Sequence, residues 1–355
     1  MPARRREAAS DSDPRLARYS RQMLFEPIGE RGQRALRHAH VALVGCGALG
    51  SVLANTLVRA GVGSLRIIDR DFIELDNLQR QVLFDEHDVA ANLPKAEAAA
   101  RKLRRINSAV EVEPIIIDLN PANAEDLCRD TDLILDGTDN IETRFLLNDV
   151  AVKHNVPWVY GACVAAEGRV LPIIPHQTAC LRCVWEELPA PGELPTCDTV
   201  GILAPTVQIV ASLQALEAMK ILTGRLDALS RKLVTFDVWT GRFRAIDVQP
   251  FRDTGDCRCC KQGQFDFLTG GQTSSTAILC GRNAVQILPA SRAKVSLKRI
   301  AERLKAGARP TYNEFILRFR VDDLTVALFP DGRAIIQGTS DPAQARTVYA
   351  KYVGG

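Results

Sequence analysis

The feature that most constrains the fold is the stretch at residues 41–50, Val-Ala-Leu-Val-Gly-Cys-Gly-Ala-Leu-Gly. Its four leading apolar residues are continuous rather than alternating, which indicates a strand buried on both faces, as in a parallel sheet. Gly45, Gly47 and Gly50 then form a G-x-G-x-x-G turn that leads into a helical pattern at 51–60. Such a turn lets a phosphate approach the backbone at the N-terminus of the helix. The stretch therefore predicts a nucleotide-binding β-α-β unit.

Polar residues follow two of the predicted strands. Asp69 ends the second strand, predicted at 64–68, close to the spacing of a carboxylate that binds ribose hydroxyls. Asp136 and Asp139 follow a strand predicted at 133–135. Ligands of open α/β sheets bind at the carboxyl ends of the strands, so we expect both groups near the ligand, with Asp136 shaping its loop. Alone, these signals leave a nicotinamide or flavin enzyme open.

The order of predicted elements favours a doubly wound, mostly parallel sheet. Strands and helices alternate regularly up to residue 174, and a long apolar helix at 205–222 and a hairpin at 233–247 follow. We assign residues 1–14 to a disordered tail, 15–268 to the nucleotide-binding domain and 277–355 to a small α+β domain. A Gly/Ser/Thr-rich link at 269–276 separates the two domains, and residues 277–287 are expected to be one extended stretch.

Composition excludes several classes of function. A length of 355 residues suits about two domains, and a net charge of +3 is too small to indicate nucleic-acid binding. No apolar run reaches the roughly 18 residues of a membrane span, and the N-terminal residues lack the apolar segment of a secretory signal. We therefore expect a cytoplasmic protein that binds neither membranes nor nucleic acid.

Two cysteine pairs predict a metal site. Cys180 and Cys183, and likewise Cys257 and Cys260, have the C-x-x-C spacing of knuckles that hold tetrahedral Zn²⁺ through four thiolates. A closed shell of four thiolates leaves no position for a reacting water, so we expect structural zinc. Cys259 lies between the second pair and leaves its register ambiguous. Cys46, Cys128, Cys163 and Cys280 lie in apolar stretches and are expected to be buried fillers.

Together with these pairs, several short motifs occur in the order found in one family. They are Arg-Tyr-Ser-Arg-Gln at 18–22, the glycine turn, Asp-Arg-Asp at 69–71, Asn-Leu-Gln-Arg-Gln at 77–81, Pro-Lys at 94–95, Thr-Asp-Asn at 138–140 and Ser-Leu-Gln-Ala-Leu-Glu at 212–217. Over residues 15–262 the chain resembles the HesA/MoeB/ThiF family of adenylating enzymes, which are related to the ubiquitin-activating enzymes. The resemblance implies binding of ATP and Mg²⁺ and activation of the Gly-Gly carboxylate of a ubiquitin-like sulfur-carrier protein, with release of pyrophosphate.

The resemblance also implies roles for individual residues. Asp69 would hold the ribose, and Asn77, Arg80 and Lys95 the phosphates. Asp139 would ligate magnesium. Each has a plainer alternative: Asp69 could cap the next loop, Arg80 could pair with an acidic neighbour, and Lys95 could be an ordinary helix lysine.

Two further assignments depend on other molecules, a second subunit for Arg21 and a carrier protein for Cys197. Arg21 matches a family arginine that reaches the phosphates from a neighbouring subunit, which implies a homodimer, or it is a surface residue. Cys197 matches a loop cysteine that in parts of the family forms a thioester or persulfide with the carrier, and elsewhere is dispensable. Its accessible position in a Pro-rich stretch leaves both readings open.

These inferences combine into one interpretation. The chain is expected to have a Rossmann-like doubly wound α/β fold with a structural zinc site and a small C-terminal α+β domain. It would be an adenylyltransferase of a sulfur carrier in molybdopterin or thiamin synthesis. The alternatives are a non-catalytic nucleotide-binding interaction protein, an NAD-dependent oxidoreductase and, among adenylating enzymes, one that acts on a short ribosomal peptide.

Overall fold

Two β-sheets organise the chain, one of eight strands and one of six. The computed structural model describes residues 14–188, 197–269, 278–279, 283–288, 295–304, 308 and 310–353. The predicted tail lies outside the described residues up to residue 13, and the predicted link lies outside them from residue 270.

The larger sheet has a parallel centre and an antiparallel extension. Its strands are β1 (His40–Val44), β2 (Ser64–Ile68), β3 (Glu111–Ile115), β4 (Leu133–Asp136), β5 (Trp158–Val164), β6 (Glu167–Ile173), β7 (Lys232–Asp237) and β8 (Arg242–Asp247). They lie in the order β3-β2-β1-β4-β5-β6-β7-β8. The first five are parallel and the last three pair antiparallel. Because the strand order reverses between β1 and β4, the loops after these two strands border the crevice in which such sheets bind ligands.

Helices cover both faces of the parallel strands. They are α1 (Ser20–Met23), α2 (Gly29–His38), α3 (Ala48–Ala60), α4 (Glu86–Ala90), α5 (Lys95–Ile106), α6 (Ala124–Cys128), α7 (Ile141–His154), α8 (Leu181–Val184), α9 (Cys197–Val200), α10 (Ala204–Leu222) and α11 (Gln249–Thr254), with 3₁₀ turns at Pro14–Tyr19, Leu75–Asn77 and Leu226–Ala228. None of the helices in the described part of the chain is long and apolar enough to span a membrane.

Strand β1 shows why the opening stretch of the sequence is continuously apolar. Val41 and Leu43 belong to one buried core with α3, α5 and α10, whereas Ala42 and Val44 belong to a second core with α7. Successive strand residues point to opposite faces, so a strand covered on both sides needs an apolar residue at every position. The predicted doubly wound sheet is therefore confirmed.

The antiparallel extension is covered less completely. All six residues of β8 are exposed, and the hairpin that joins it to β7 presents Trp239, which is 81% exposed. The sequence placed both strands of this hairpin correctly. Its alternation of polar and apolar residues marks a strand with solvent on at least one face.

The smaller sheet is antiparallel throughout and forms the C-terminal α+β unit. Its elements are β9 (Ile278–Leu279), β10 (Ala284–Ile287), α12 (Leu297–Arg303), β11 (Thr311–Tyr312), β12 (Leu317–Val321), β13 (Leu324–Leu328), β14 (Ala334–Gln337) and α13 (Pro342–Tyr352), and the strand order is β11-β12-β13-β14-β10-β9. The prediction of one extended stretch at 277–287 is wrong, because β9 and β10 pair antiparallel with Leu279 opposite Ala284. Asn283, with a φ of 42°, lies where the chain reverses.

The two sheets touch beside the loop that follows β2. Phe72 from that loop packs with Ile316 and Phe329 of the C-terminal unit in a small buried cluster. The side-chain amide of Asn313 donates hydrogen bonds to the carbonyl oxygens of Ala91 and Asn92, at 3.1 and 3.0 Å. The C-terminal unit thus lies against the segment that leads from β2 to α5.

Candidate nucleotide site and cysteine cluster

The glycine turn has the shape that close approach of a phosphate requires. Gly45 has a φ of 86°, which a side chain would strain, and a Cβ on Gly50 would lie 2.0 Å from the Gly45 carbonyl oxygen. At Gly47, which precedes the first residue of α3, the nearest atom to an added Cβ is 3.7 Å away on Gln81. The first and third glycines are therefore needed for packing, and the second leaves space at the helix N-terminus.

Asp69 lies directly behind this turn and is bonded to it. Its Oδ2 accepts a hydrogen bond from the Cys46 backbone N–H at 2.5 Å, and its Oδ1 accepts one from the Asp71 N–H at 2.7 Å. Burial raises the pKa of Asp69, while the nearby Lys95 ammonium lowers it. Asp69 therefore does cap the loop that follows β2, as the plainer alternative predicts. A carboxylate has about four lone-pair positions, so these two bonds still leave acceptors for a ribose.

Lys95 is not an ordinary exposed helix lysine. It is the first residue of α5 and is only 4% exposed, and its Nζ lies 3.3 Å from Asp71 Oδ2. Its charge also lowers the pKa values of Asp69 and Cys46, in each case against the larger effect of burial. A buried ammonium held by carboxylates beside the glycine turn is well placed to meet an anionic ligand.

Asn77 and Arg80 lie on the polar loop after β2. Asn77 is buried, and its side chain bonds the Glu74 backbone N–H and the Asp76 carboxylate, so it fixes the 3₁₀ turn. Arg80 is half-buried and donates from Nη1 to the Asp76 carbonyl oxygen at 2.8 Å. This contact is with the backbone rather than with an acidic side chain, so the Arg80 guanidinium keeps further donors.

The two aspartates at the end of β4 and in the loop after it, Asp136 and Asp139, have different surroundings. Asp136 is fully buried, and it accepts hydrogen bonds from the N–H and hydroxyl of Thr138 and from Arg144 Nε. Its expected role in shaping the loop is confirmed by these contacts. Asp139 is exposed, three residues further on. Of the two, only Asp139 presents its carboxylate to solvent, where a hydrated magnesium ion could reach it.

Sequence reasoning missed Arg144, which is 9% exposed on the first turns of α7. Besides Asp136, its guanidinium donates to the carbonyl oxygens of Thr138 and Gly161, at 2.6 and 3.1 Å. It therefore fixes the loop after β4 against β5. Its place one helical turn after the Thr-Asp-Asn motif could have pointed to it.

The loops after β1 and β4 also meet through their backbones. A Cβ on Gly137 would lie 2.4 Å from the Gly45 carbonyl oxygen. Because no side chain separates the two loops, the residues that follow each strand lie close together. This contact places the segment that carries Asp139 directly beside the glycine turn.

Sequence reasoning also left Arg70 without a role. Its Nη1 donates to Asp118 Oδ1 at 2.6 Å, and its Nε lies 3.7 Å from Asp71 Oδ1. Burial lowers the pKa of Arg70, but Asp118, Asp71, Asp139 and Asp69 outweigh it, so the pKa is raised. Arg70 thus lies among the carboxylates after β2, β3 and β4.

The two remaining predicted residues lie on other elements, α1 and α9. Arg21 is exposed on α1, and within the described ranges it makes no hydrogen bond or ion pair with another predicted site residue. Cys197 begins α9, and its thiol donates to the Cys163 carbonyl oxygen at 3.5 Å. The rest of its predicted Pro-rich loop, residues 189–196, lies outside the described residues.

Cys163 links the Cys197 segment to the nucleotide site. Burial, with a smaller contribution from Cys197, raises the pKa of the Cys163 thiol to about 12, against the lowering effect of the Arg144 and Arg80 guanidiniums. Cys163 was expected to be a buried filler, as were Cys46, Cys128 and Cys280. Cys46 and Cys128 are fully buried, whereas Cys163 is half-buried and Cys280 lies outside the described residues.

The four predicted zinc ligands come together. The sulfur atoms of Cys180, Cys183, Cys257 and Cys260 lie within 4.8 Å of one another, with individual separations of 3.5 to 3.7 Å. A tetrahedron with Zn–S bonds of about 2.3 Å places sulfurs roughly 3.8 Å apart, so the cluster fits zinc.

Cys259 does not belong to this cluster. It is fully buried, and its sulfur accepts a hydrogen bond from the Asn148 amide at 3.3 Å. The same amide lies 3.8 Å from Cys180 Sγ, and Asn148 Oδ1 accepts the Leu181 N–H at 2.8 Å. The register is therefore Cys257 with Cys260, and Asn148 on α7 orients the cluster from behind.

The fold and these two sites define a doubly wound nucleotide-binding protein with a four-cysteine cluster of a size that fits a metal ion. Residues 19–259 match the ThiF family, and the chain belongs to that family.

Comparison with known proteins gives more specific relatives. The chain is 43% identical to the sulfur carrier protein ThiS adenylyltransferase of Bacillus subtilis over 338 residues, which is 95% of this chain and 99% of that protein. It is 38% identical to the SAMP-activating enzyme E1 of Haloferax volcanii over 71% of this chain and 91% of that protein. It is also 38% identical to the sulfur carrier protein adenylyltransferase of Thermus thermophilus over 66% of this chain and 88% of that protein.

Solved structures agree on the fold. The crystal structure of Escherichia coli MccB with ATP has a TM-score of 0.58 at 24% identity and covers 65% of this chain and 72% of that one. A structure of PaaA has a TM-score of 0.57 at 24% identity, covering 69% and 78%. At this identity the likeness concerns the fold alone.

Proposed function

We propose that this protein uses ATP to adenylate the C-terminal carboxylate of a ubiquitin-like sulfur-carrier protein. The observation that carries the proposal is the convergence of the glycine turn, Asp69 and buried Lys95 at one end of a ThiF-family sheet. The 43% identity with a ThiS adenylyltransferase over 95% of the chain supports a carrier of the thiamin type. The names of other relatives extend the class to related sulfur pathways.

Different residues would bind different parts of the nucleotide. The open space at Gly47 and the N-terminus of α3 would take phosphate oxygens, and Asp69 would accept the ribose hydroxyls with its remaining lone pairs. Lys95, Arg80 and Asn77 border the polar loop after β2 and would bind the rest of the triphosphate. Cationic and amide donors fixed in this way need little rearrangement when charge develops on the phosphates.

The reaction is a displacement at the α-phosphorus. A carboxylate oxygen of the carrier forms a bond to this phosphorus, the bond to the bridging α,β-oxygen breaks, and pyrophosphate leaves with the electron pair. Attack of one anion on another is slow unless charge is neutralised and the groups are aligned. Asp139 would hold Mg²⁺, which supplies charge neutralisation at the phosphate oxygens.

We propose that Cys197 acts after adenylation. Its thiol is half-buried beside the Cys163 carbonyl oxygen, and it would attack the carbonyl carbon of the acyl-adenylate. That attack would form a thioester and release AMP. Intact-mass analysis of the reaction mixture distinguishes this covalent role from a dispensable one.

Two parts of the proposal concern the assembly. We propose that the four-cysteine cluster holds one structural Zn²⁺ per chain, which joins the segment after β6 to the segment after α11. We also propose a homodimer in which exposed Arg21 reaches the partner's phosphate site. Because the reaction uses ATP, we place it in the cytoplasm.

The test is carrier-dependent exchange of radiolabelled pyrophosphate into ATP. Purified protein with a ThiS-type carrier should support exchange, and Asp139→Asn should reduce it by about 10²–10³-fold. Asp130→Asn is the matched control, because Asp130 is also an exposed aspartate, before β4 rather than after it.

Other outcomes would identify a different function. ATP binding without exchange would indicate a nucleotide-binding interaction protein, and exchange that depends on a short peptide instead of a carrier would indicate a peptide-activating enzyme. Binding of NAD in place of ATP would indicate an oxidoreductase. Any of these results overturns the proposal.

A further inference from the structure

Gln286 is a buried polar residue of the second sheet that faces the first. It lies on β10 and is 1% exposed, and its Nε2 donates to Asp118 Oδ2 at 3.1 Å. Its Oε1 has no hydrogen-bond partner within the described ranges. Asp118 belongs to the loop after β3, at the same end of the sheet as the nucleotide site.

Arg333 is a second such residue, immediately before β14. It is 1% exposed, its guanidinium stacks on Phe329 at 3.8 Å from the ring centroid, and its Nη2 donates to the Arg70 carbonyl oxygen at 3.4 Å. Its Nε is 3.9 Å from Asp331 Oδ2. Neither Nε nor Nη1 has a hydrogen-bond partner among the residues that the structure describes.

Gln286 and Arg333 both contact a connected series of charged residues that ends at Lys95, the candidate phosphate-binding lysine. Asp118 binds Arg70 at 2.6 Å, Arg70 lies 3.7 Å from Asp71, and Asp71 lies 3.3 Å from Lys95 Nζ. Gln286 thus holds the far carboxylate oxygen of Asp118, and Arg333 holds the backbone of Arg70. Displacing either one would let this set of charges shift relative to Lys95.

Holding the two sheets together does not by itself account for Gln286 and Arg333. The sheets are already joined by the apolar cluster of Phe72, Ile316 and Phe329. A buried guanidinium with two of its nitrogens lacking a hydrogen-bond partner in the described structure weakens such a contact, because burying charge costs more than packing apolar groups of similar size. An arrangement that costs stability yet holds residues connected to the site is typical of functional positioning.

We propose that Gln286 and Arg333 are positioning residues of the nucleotide site, which fix Asp118 and Arg70 and so hold Lys95 in place for the phosphates. This inference rests on the proposed function, since it assumes that ATP binds at the glycine turn. It assigns to the second sheet a part in ATP binding.

The experiment compares ATP affinity in full-length, zinc-loaded variants. Gln286→Leu keeps the side-chain volume but loses the amide, and Arg333→Met loses the guanidinium. Each should weaken binding of ATP with Mg²⁺, measured by calorimetry, by about fivefold to tenfold. The KM for ATP in pyrophosphate exchange should rise by the same factor, while the KM for the carrier stays unchanged. Arg333→Lys should restore part of the affinity.

Controls and a coupling measurement separate positioning from stability. Gln344→Leu and Arg346→Met change the same residue types on the exposed face of α13 and should leave ATP affinity unchanged. Asp118→Asn should weaken ATP binding by a similar factor. Adding Gln286→Leu to it should cause little further loss, because both changes act through one contact.

The outcomes are distinguishable. If the unaltered protein binds no ATP, the proposed function fails and this inference fails with it. If the unaltered protein binds ATP and the folded variants bind it equally well, only this inference is overturned. If Arg333→Met does not fold, Arg333→Lys and Gln286→Leu decide the question by the same measurement. Additive effects of Asp118→Asn and Gln286→Leu would also contradict a shared route to the site.

Discussion

The two sheets differ in how they present polar residues. In the larger sheet, parallel strands β1 to β5 end side by side, and the candidate nucleotide residues lie on the loops that follow them. In the smaller sheet every described pairing is antiparallel, so the carboxyl ends of neighbouring strands lie at opposite ends of the sheet. It contacts the charges beside the nucleotide site through two buried side chains, Gln286 on β10 and Arg333 immediately before β14.

This difference shows two ways of building one site. Loops at the end of a parallel sheet supply groups that touch the ligand, since they are open to solvent and their backbone N–H groups point outward. A packed sheet face supplies groups that hold those loops from behind. The larger sheet would therefore determine what reaction occurs, and the smaller sheet how firmly its groups are held.

The largest expected effect concerns the metal cluster, which is confined to the larger unit. Cys180→Ser should remove one of four thiolates and release zinc, because its sulfur lies 3.6 Å from Cys257 Sγ at the centre of the contact between two distant segments. Binding of structural zinc is worth on the order of 10 kcal/mol, so the larger sheet should unfold at much lower denaturant concentration.

Metal analysis of this variant by mass spectrometry, together with urea titration, measures both consequences. Cys259→Ser is the control, since Cys259 bonds Asn148 and lies outside the cluster. It should keep one zinc per chain. A fully folded, metal-free Cys180→Ser protein would show that the cluster does not stabilise the larger sheet through zinc.

The next effect concerns the loop groups. Lys95→Met should reduce carrier-dependent pyrophosphate exchange by about 10²-fold, because it removes a preorganised cation from the phosphate site. Lys102→Met is matched to it: Lys102 lies on the same helix but binds Asp85 at 2.6 Å, away from the glycine turn. That variant should exchange at the normal rate. Equal losses in the two variants would mean that Lys95 acts only through the stability of α5.

The last effect concerns the contact between the sheets and should change stability rather than the rate of exchange. Phe329→Ala should lower the free energy of unfolding by about 3 kcal/mol, because Phe329 is 2% exposed and packs against Phe72 with ring centroids 5.4 Å apart. Tyr312→Ala, at a residue that is 49% exposed in the same sheet, should cost far less. If urea titrations give the two variants equal stability, the aromatic cluster does not join the sheets.

The sequence predicted the larger sheet well because each of its signals is local. The apolar run of β1, the glycine turn and the C-x-x-C pairs each involve fewer than a dozen consecutive residues. The predicted helix at 51–60 begins three residues late, since α3 starts at Ala48 inside the turn. The glycine turn there is itself the helix N-terminus, which a pattern of apolar spacing does not reveal.

What the sequence did not predict depends on contacts between distant segments. Nothing near Gln286 or Arg333 in the sequence indicates that they face Asp118 and Arg70, more than 160 residues earlier. Cys259 is excluded from the cluster by the positions of the sulfur atoms, since those of Cys180, Cys183, Cys257 and Cys260 are the four that lie within 4.8 Å of one another. The roles assigned to Arg21, Asp139 and Cys197 remain predictions, since each depends on a partner subunit, an ion or a carrier.

Strand β8 is the edge strand of the larger sheet, and its outer edge, called the rim below, is uncovered within the described residues. Every residue of this last strand is exposed, and Phe243 and Ile246 are 60% and 44% exposed, so the rim offers both backbone and apolar surface to another copy. Arg242, Arg244 and Asp247 place charged side chains along it, and desolvating these charges opposes pairing of the rim with another copy. Replacing both arginines by valine should therefore lower the solubility of concentrated protein.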